Sequence, residues 1–271
     1  MRRETKPFAG AVWVAAVVLL CGPRLFGQQP FYTDDADVTE KGMRHLECSN
    51  EYDRLPPEVF PSIGQNTLVC KVAFGLPGNI EIGADAPLLT IKRASGTPRT
   101  SFGVGDTDFA AIKWNFHKPP TDSRAFSLAA GFNIEFPTGR TKEQLGSGLH
   151  DYVANFIVQK KLTDETTLHL NSGIIFAGNQ TTGALGVANT RGHVYTEGAS
   201  IVRQFTQKLD LGADIYEAFS PQFQFARGQL QGLLGGNYEF HTGYTFDFGI
   251  VLGTFAAAPR AGIQLGFSHD F

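Results

Sequence analysis

Scarcity in this chain is as informative as abundance. Cysteine occurs 3 times in 271 residues, too few for a disulfide-stapled scaffold or a zinc ribbon. The 7 histidines have no metal-ligand spacing. The formal net charge is only -3, and no basic stripe is interleaved with aromatics, which excludes a nucleic-acid footprint. Beyond residue 27 there is no apolar run approaching the roughly 20 residues of a spanning helix. Hydropathy alone would therefore class the remainder as soluble. A membrane-spanning strand, however, needs only about 9–11 residues and alternates its faces.

What is abundant points to strands. Phe 23 and Gly 31 stand against Met 2 and Trp 2, a mixture that favours bent strands and close backbone approaches over helices. At the N-terminus Arg2, Arg3 and Lys6 precede the apolar run AGAVWVAAVVLLCG, then PRLFGQQ. A basic region, an apolar region and a small residue at Gly27 form an export leader, with cleavage expected after Gly27. The apolar run is too short for a membrane anchor. Cys21 is not preceded by the small residue that lipoprotein processing uses.

The rest divides into segments of alternating hydropathy: His45–Arg54, Asn66–Gly75, Asn79–Ile91, Val104–His117, Ala125–Phe136 and His150–Leu162. They continue as Thr167–Ala177, Gly192–Phe205, Leu209–Phe219, Gln229–His241, Tyr244–Thr254 and Ala261–Phe271. Their connections alternate in length. The short ones are LPGN, KPPTDSR, TDET, TQK and HTG; the long ones include LPPEVFPSIGQ, KRASGTPRTSFG, PTGRTKEQLGSGL, GNQTTGALGVANTR and SPQFQFARGQ. A β-sandwich has no reason to sort its loops by parity, whereas outer-membrane barrels have tight periplasmic turns and longer outside loops.

Face assignment agrees. In Ala125–Phe136 the residues Phe126, Leu128, Ala130, Phe132, Ile134 and Phe136 share one side, and Ser127, Asn133 and Glu135 the other. The reading is all-β: a transmembrane antiparallel outer-membrane β-barrel of about twelve strands. Residues 1–27 would be the leader, 28–43 an N-terminal periplasmic segment, and 44–271 the barrel. The final GIQLGFSHDF alternates up to Phe271, as a last strand pairing with the first would. Phe267 and Phe271 in that strand look like the signal read by the barrel-insertion machinery.

The inward positions expected to line the lumen are Glu47, Glu51, Lys71, Glu81, Asp85, Glu135, Asp151, Asn155, Lys161, His193, Glu197, Asp214, Glu239 and Asp247. Such charges either satisfy one another in a narrow barrel or form a weakly cation-preferring path; the sequence leaves both open. Asp106 and Asp108 have the opposite parity to Lys113, which a bulge near Ala110 or Ala111 would reconcile. Pairing Arg54 with Gly64 would set Cys48 opposite Cys70 on the lipid-facing side, where an exported protein can keep a disulfide.

Three motifs argue against chemistry. The acidic cluster Asp34, Asp35 and Asp37 reads more readily as a solvated arm than as a metal site. GVGDTDFAAIKWNF lacks the third glycine and the helix of a nucleotide loop. On a strand His169 and Ser172 point to opposite faces, so they cannot act as base and nucleophile. Neither an enzymatic function nor a cofactor or metal is expected. The loop Gly178–Arg191 is small and polar, without the aromatic anchors of an adhesive surface.

The stretches PFYTDDADVTEKGMRHLE, GVGDTDFAAIKWNF and FPTGRTKEQLGSGLHDYVANFIVQKKL together resemble the MetA-pathway of phenol degradation family. That resemblance spans nearly the whole mature chain and implies an outer-membrane barrel linked to uptake of aromatic or other small compounds; it implies no particular contact residues. The expected function is that of a monomeric outer-membrane channel for small, aromatic or hydrophobic solutes, partnered by lipid, the insertion machinery and its solute. A structural or adhesive barrel without conductance, and a lipid-acting barrel enzyme, are the alternatives.

Overall fold

The structure, a computed structural model, describes residues 29–56, 62–96, 98–177, 192–221 and 228–271. The expected leader and the loop Gly178–Arg191 lie outside those residues. Thirteen strands follow one another: β1 (Arg44–Arg54), β2 (Ser62–Leu76), β3 (Ile80–Arg93), β4 (Thr100–Val104), β5 (Thr107–His117), β6 (Ser127–Phe136) and β7 (Asp151–Lys161). After these come β8 (Thr166–Ala177), β9 (Gly192–Gln204), β10 (Leu209–Phe219), β11 (Gln229–His241), β12 (Tyr244–Gly253) and β13 (Ala261–Asp270).

Every strand pairs antiparallel with its neighbours, and β1 pairs with both β2 and β13, so the sheet closes on itself. β4 pairs with the far half of β3 and β5 with its near half. The two therefore share one position, and the 13 strands make a twelve-membered antiparallel barrel. The seam is completed by two main-chain hydrogen bonds between Arg44 and Phe271, of 2.8 and 2.9 Å. Closure satisfies every strand edge, the condition for exposing a sheet to hydrocarbon.

The period of two decides what lies inside. The outer surface carries exposed Ile215, Leu234, Ile250, Leu252, Ile263 and Leu265, with rings gathered towards the ends. Near the short turns, Tyr244 stacks on His269 with centroids 3.9 Å apart and approaches Phe267 at 5.9 Å. Near the long loops, Tyr195 meets Phe219 at 5.7 Å. Cys48 and Cys70 stand directly opposite each other on β1 and β2 and are disulfide-bonded, in a register that also pairs Arg54 with Gly64.

The parity conflict in β5 is resolved within that strand. Ala110 has φ +55°, a left-handed conformation that L-residues adopt only under constraint. The pairing of β5 with β6 shifts between Phe109 and Ile112. Phe109 and Ala110 both point outward across this bulge, so Asp108 and Lys113 face the same interior.

Candidate permeation path

The inner wall carries a run of carboxylates set by register. Asp85 opposes Asp108, Asp108 opposes Glu135, and Glu135 opposes Asp151, so four adjacent barrel positions present acid at one level near the long-loop end. Like charges directly opposite one another repel, and a wall built this way attracts cations.

The connection 137–150 folds inward over this run. Leu145, 2% exposed, packs on the inward Leu89 and Ile91 of β3. Arg93 pins the connection from the wall, donating to Gln144 Oε1 at 2.7 Å and to the Glu143 carbonyl at 2.6 Å. The same guanidinium bonds Ser101 at 2.8 Å. Asp106, in the break between β4 and β5, accepts the Gly139 and Ser147 amides at 2.9 and 2.6 Å. The broken strand thus supplies the anchor for the connection.

The second obstruction is residues 29–43. The segment expected on the periplasmic side of the barrel instead runs inside the ring as an arch. Asn237 and Gln264 bond Gln29. The Tyr32 and Thr33 amides donate to Asp214 Oδ2 at 2.7 and 2.9 Å, and the Thr33 hydroxyl donates to Oδ1 at 2.6 Å. Asn171 brackets Asp34, accepting its amide at 2.6 Å and donating to its carbonyl at 2.8 Å. Gln159 accepts the Ala36 amide at 2.8 Å and donates to Asp37 at 3.0 Å. Glu81 accepts both the amide and the hydroxyl of Thr39, at 2.8 and 2.7 Å. The arch then reaches β2, where the Gly42 amide donates to the Gly75 carbonyl at 2.9 Å.

Packing and charge complete the fit. Phe31 sits with Leu233 and Val251, and Ala36 with Ala129 and Ile157. A Cβ at Gly198 would stand 2.7 Å from Thr33 Oγ1, and one at Gly212 would stand 2.7 Å from Phe31 Cζ; at these two points the wall makes room for the arch by carrying no side chain. Lys113 bonds Asp34 at 3.1 Å and Asp35 at 3.4 Å. Burial pushes the Asp35 carboxyl up to about 7, against the downward pull of the Lys113 ammonium. Burial, and then the Glu51 carboxylate 2.8 Å away, hold the Tyr32 phenol far above its usual range, which keeps it a neutral donor. Under the arch a cavity of about 30 Å³ is bounded by charged groups, among them His45, Glu47, Lys71 and Asp270.

Among the residues expected to line the lumen, Glu51, Glu81 and Asp214 hold the arch directly. Lys71 pairs with Glu81 at 3.7 Å, and Glu47 lies 3.3 Å from His45. Asn155 bonds Asn171 at 3.3 Å, and Asp247 accepts from Asn237 at 2.7 Å. Asp85, Glu135 and Asp151 form the acidic run with Asp108. Lys161 reaches the Thr121 carbonyl at 2.6 Å, and Glu239 the Gly243 amide at 3.4 Å, both at short turns.

His193 and Glu197 are corrections. The inward parity of β9 belongs to Val194, Gly198 and Ser200, so both residues lie on the exterior, where the Glu197 carboxylate accepts the Ser172 hydroxyl at 2.9 Å. Polarity alone had placed them inside. Sequence reasoning also missed Asn171, Gln159, Arg93 and Asp106, whose partners lie far away along the chain. It missed one further pair: inward His169 lies 3.1 Å from Ser200 Oγ, across from it on β9.

Fold and interior together define a class: an outer-membrane-type β-barrel whose bore is occupied by its own N-terminal segment and by an inturned connection. The MetA-pathway of phenol degradation family matches residues 71–270, and the chain belongs to that family. The COG4313 outer membrane channel from Pseudomonas putida F1 superimposes with a TM-score of 0.70 at 12% identity, covering 88% of this chain and 98% of that one. The KdgM porin matches with a TM-score of 0.53 at 11% identity, over 84% of this chain and 99% of that one. NanC porin gives 0.52 at 10% identity, over 83% and 98%. No curated protein sequence matches the chain.

Proposed function

We propose that this protein is a gated outer-membrane channel for passive uptake of small, aromatic or hydrophobic solutes. The acidic run Asp85–Asp108–Glu135–Asp151 beneath an inturned connection carries the reading of a passage, because a wall with no passage to line has no reason to oppose four carboxylates; the solute class rests on the family's description. The pathway in the family's description and the channel and porin titles of the structural neighbours support it. The long-loop end would face outside and the short-turn end the periplasm, with the leader removed after Gly27. The barrel would be a monomer inserted by machinery that reads Phe267 and Phe271.

No catalytic role is included. His169 and Ser172 point to opposite faces, and Ser200, although paired with His169, is only 2% exposed. The deciding test is planar-bilayer conductance of the refolded chain, with and without phenols and small aromatic acids. Brief current steps that these solutes block are expected. Silence both from the wild type and from variants with a loosened arch would leave a structural or adhesive barrel.

A further inference from the structure

The inner wall under the start of the arch is shaped to take a flat ring. Gly212, Gly235 and Gly249 are consecutive cross-strand partners on the inner faces of β10, β11 and β12. One row nearer the long loops, Asp214, Leu233 and Val251 are consecutive in the same way. Val202 stands opposite Gly212 on β9 and borders the same patch. Three adjacent positions without side chains, edged by aliphatic ones, make a shallow tray. Phe31 lies in it, 7% exposed, against the fully buried Leu233 and Val251. A Cβ at Gly212 would stand 2.7 Å from Cζ and 3.1 Å from Cε1 of that ring, and one at Gly235 would stand 2.9 Å from Pro30 Cγ. The ring thus rests on bare backbone, where not even a methyl group would fit.

We propose that this tray is a binding site for one uncharged aromatic ring, that Phe31 fills it as a built-in ligand, and that a solute releases the arch by taking its place. This rests on the reading of the chain as a channel whose arch unseats. An apolar seat with a few polar groups at its edge selects by shape and orientation. A planar ring suits the glycine floor, and a puckered saturated ring is too thick for it. Asp210 and Asp247 border the tray on one side and Asp214 on the other, so an anionic solute is repelled. The Tyr32 and Thr33 amides and the Thr33 hydroxyl leave Asp214 when the arch leaves, which frees an acceptor for a solute hydroxyl. A ligand that binds only the unseated state shifts the population towards it.

The test uses protein extracted from outer membranes and carrying Ala36→Cys. Ala36 is buried in the seated arch, and Cys48 and Cys70 are bridged, so maleimide labelling of the new thiol reports unseating. Para-cresol should accelerate that labelling saturably, by roughly fivefold or more. Cyclohexanol and benzoate at the same concentration should not. Adding Phe31→Ala removes the competitor. Para-cresol should then no longer accelerate labelling, and should instead raise the midpoint of the heat-induced gel shift. If the Phe31→Ala variant does not fold, phenyl azide irradiated with the wild type should attach at Val202, Leu233 or Val251, and excess para-cresol should protect them. No acceleration, equal acceleration by cyclohexanol, unchanged acceleration in the Phe31→Ala variant, or attachment elsewhere overturns the proposal. Conductance separates the two readings. A barrel that passes current while its arch ignores para-cresol loses this proposal and keeps the channel; one that stays silent even with a loosened arch loses both.

Discussion

Thr33 and Asp214 are joined twice: the threonine amide reaches Oδ2 at 2.9 Å and its hydroxyl reaches Oδ1 at 2.6 Å. With the Tyr32 amide also on Oδ2 at 2.7 Å, one carboxylate from β10 clasps the crest of the arch. Hydrogen bonds to a charged group contribute about 1.5–3 kcal/mol each. Asp214→Ala should therefore raise the open probability of single channels by roughly tenfold or more, as measured in planar bilayers. An unchanged open probability would mean that the arch stays seated without this clasp or does not gate.

Gly198 offers a test that leaves the clasp intact. Its missing Cβ is what gives Thr33 Oγ1 room. Gly198→Val should displace the arch and reproduce the Asp214→Ala currents. Adding Thr33→Gly should suppress that effect, because the clash needs both side chains. Failure of the second change to suppress would trace the first to damage in the wall.

Lys113 carries the charge balance on the other side of the arch. Lys113→Met leaves Asp34 and Asp35 buried without their cation, a loss of about 3–5 kcal/mol for a broken buried pair. The midpoint of the heat-induced gel shift should fall clearly. Neutralising both acids in the same chain, Asp34→Asn with Asp35→Asn, should recover part of the loss.

The acidic run predicts selectivity. Glu135→Gln and Asp108→Asn together should move the reversal potential in a potassium chloride gradient towards zero, lowering the cation-to-anion permeability ratio severalfold. A ratio insensitive to these changes would place the path elsewhere in the lumen.

The Cys48–Cys70 bond closes a sequence separation of 22 residues, which constrains the unfolded chain by roughly 3 kcal/mol on a loop-entropy basis. Cys48→Ala with Cys70→Ala should shift the urea midpoint down and leave single-channel currents unchanged, since both residues lie on the outer face.

How much of this was legible in the sequence follows from the range of each interaction. Alternation acts between neighbours, so the strands, the loop parity and the barrel class can be read along the chain. The conflicting parity of Asp106, Asp108 and Lys113 called for a bulge near Ala110 or Ala111, and the structure has it at Ala110. The separate strand β4 was missed, because Thr100–Gly103 was read as the end of the long connection KRASGTPRTSFG. The arch was hidden because TDDAD has the composition of a solvated tail, and the groups that hold it are scattered from 19 to 235 positions away. His193 and Glu197 were misplaced because polar was equated with inward, and the exterior tolerates some polar residues near its rings.

The arch has a mechanical consequence. Hydrogen bonds around a ring resist separation of strands but do little against flattening, since an oval has the same circumference as a circle. Thr39 on Glu81 of β3 and Thr33 on Asp214 of β10 tie together strands that sit on opposite sides of the ring. The segment is a strut of fixed length, as spokes are to a rim. While it is seated the cross-section is held in one shape, and when it leaves, the wall is free to become elliptical.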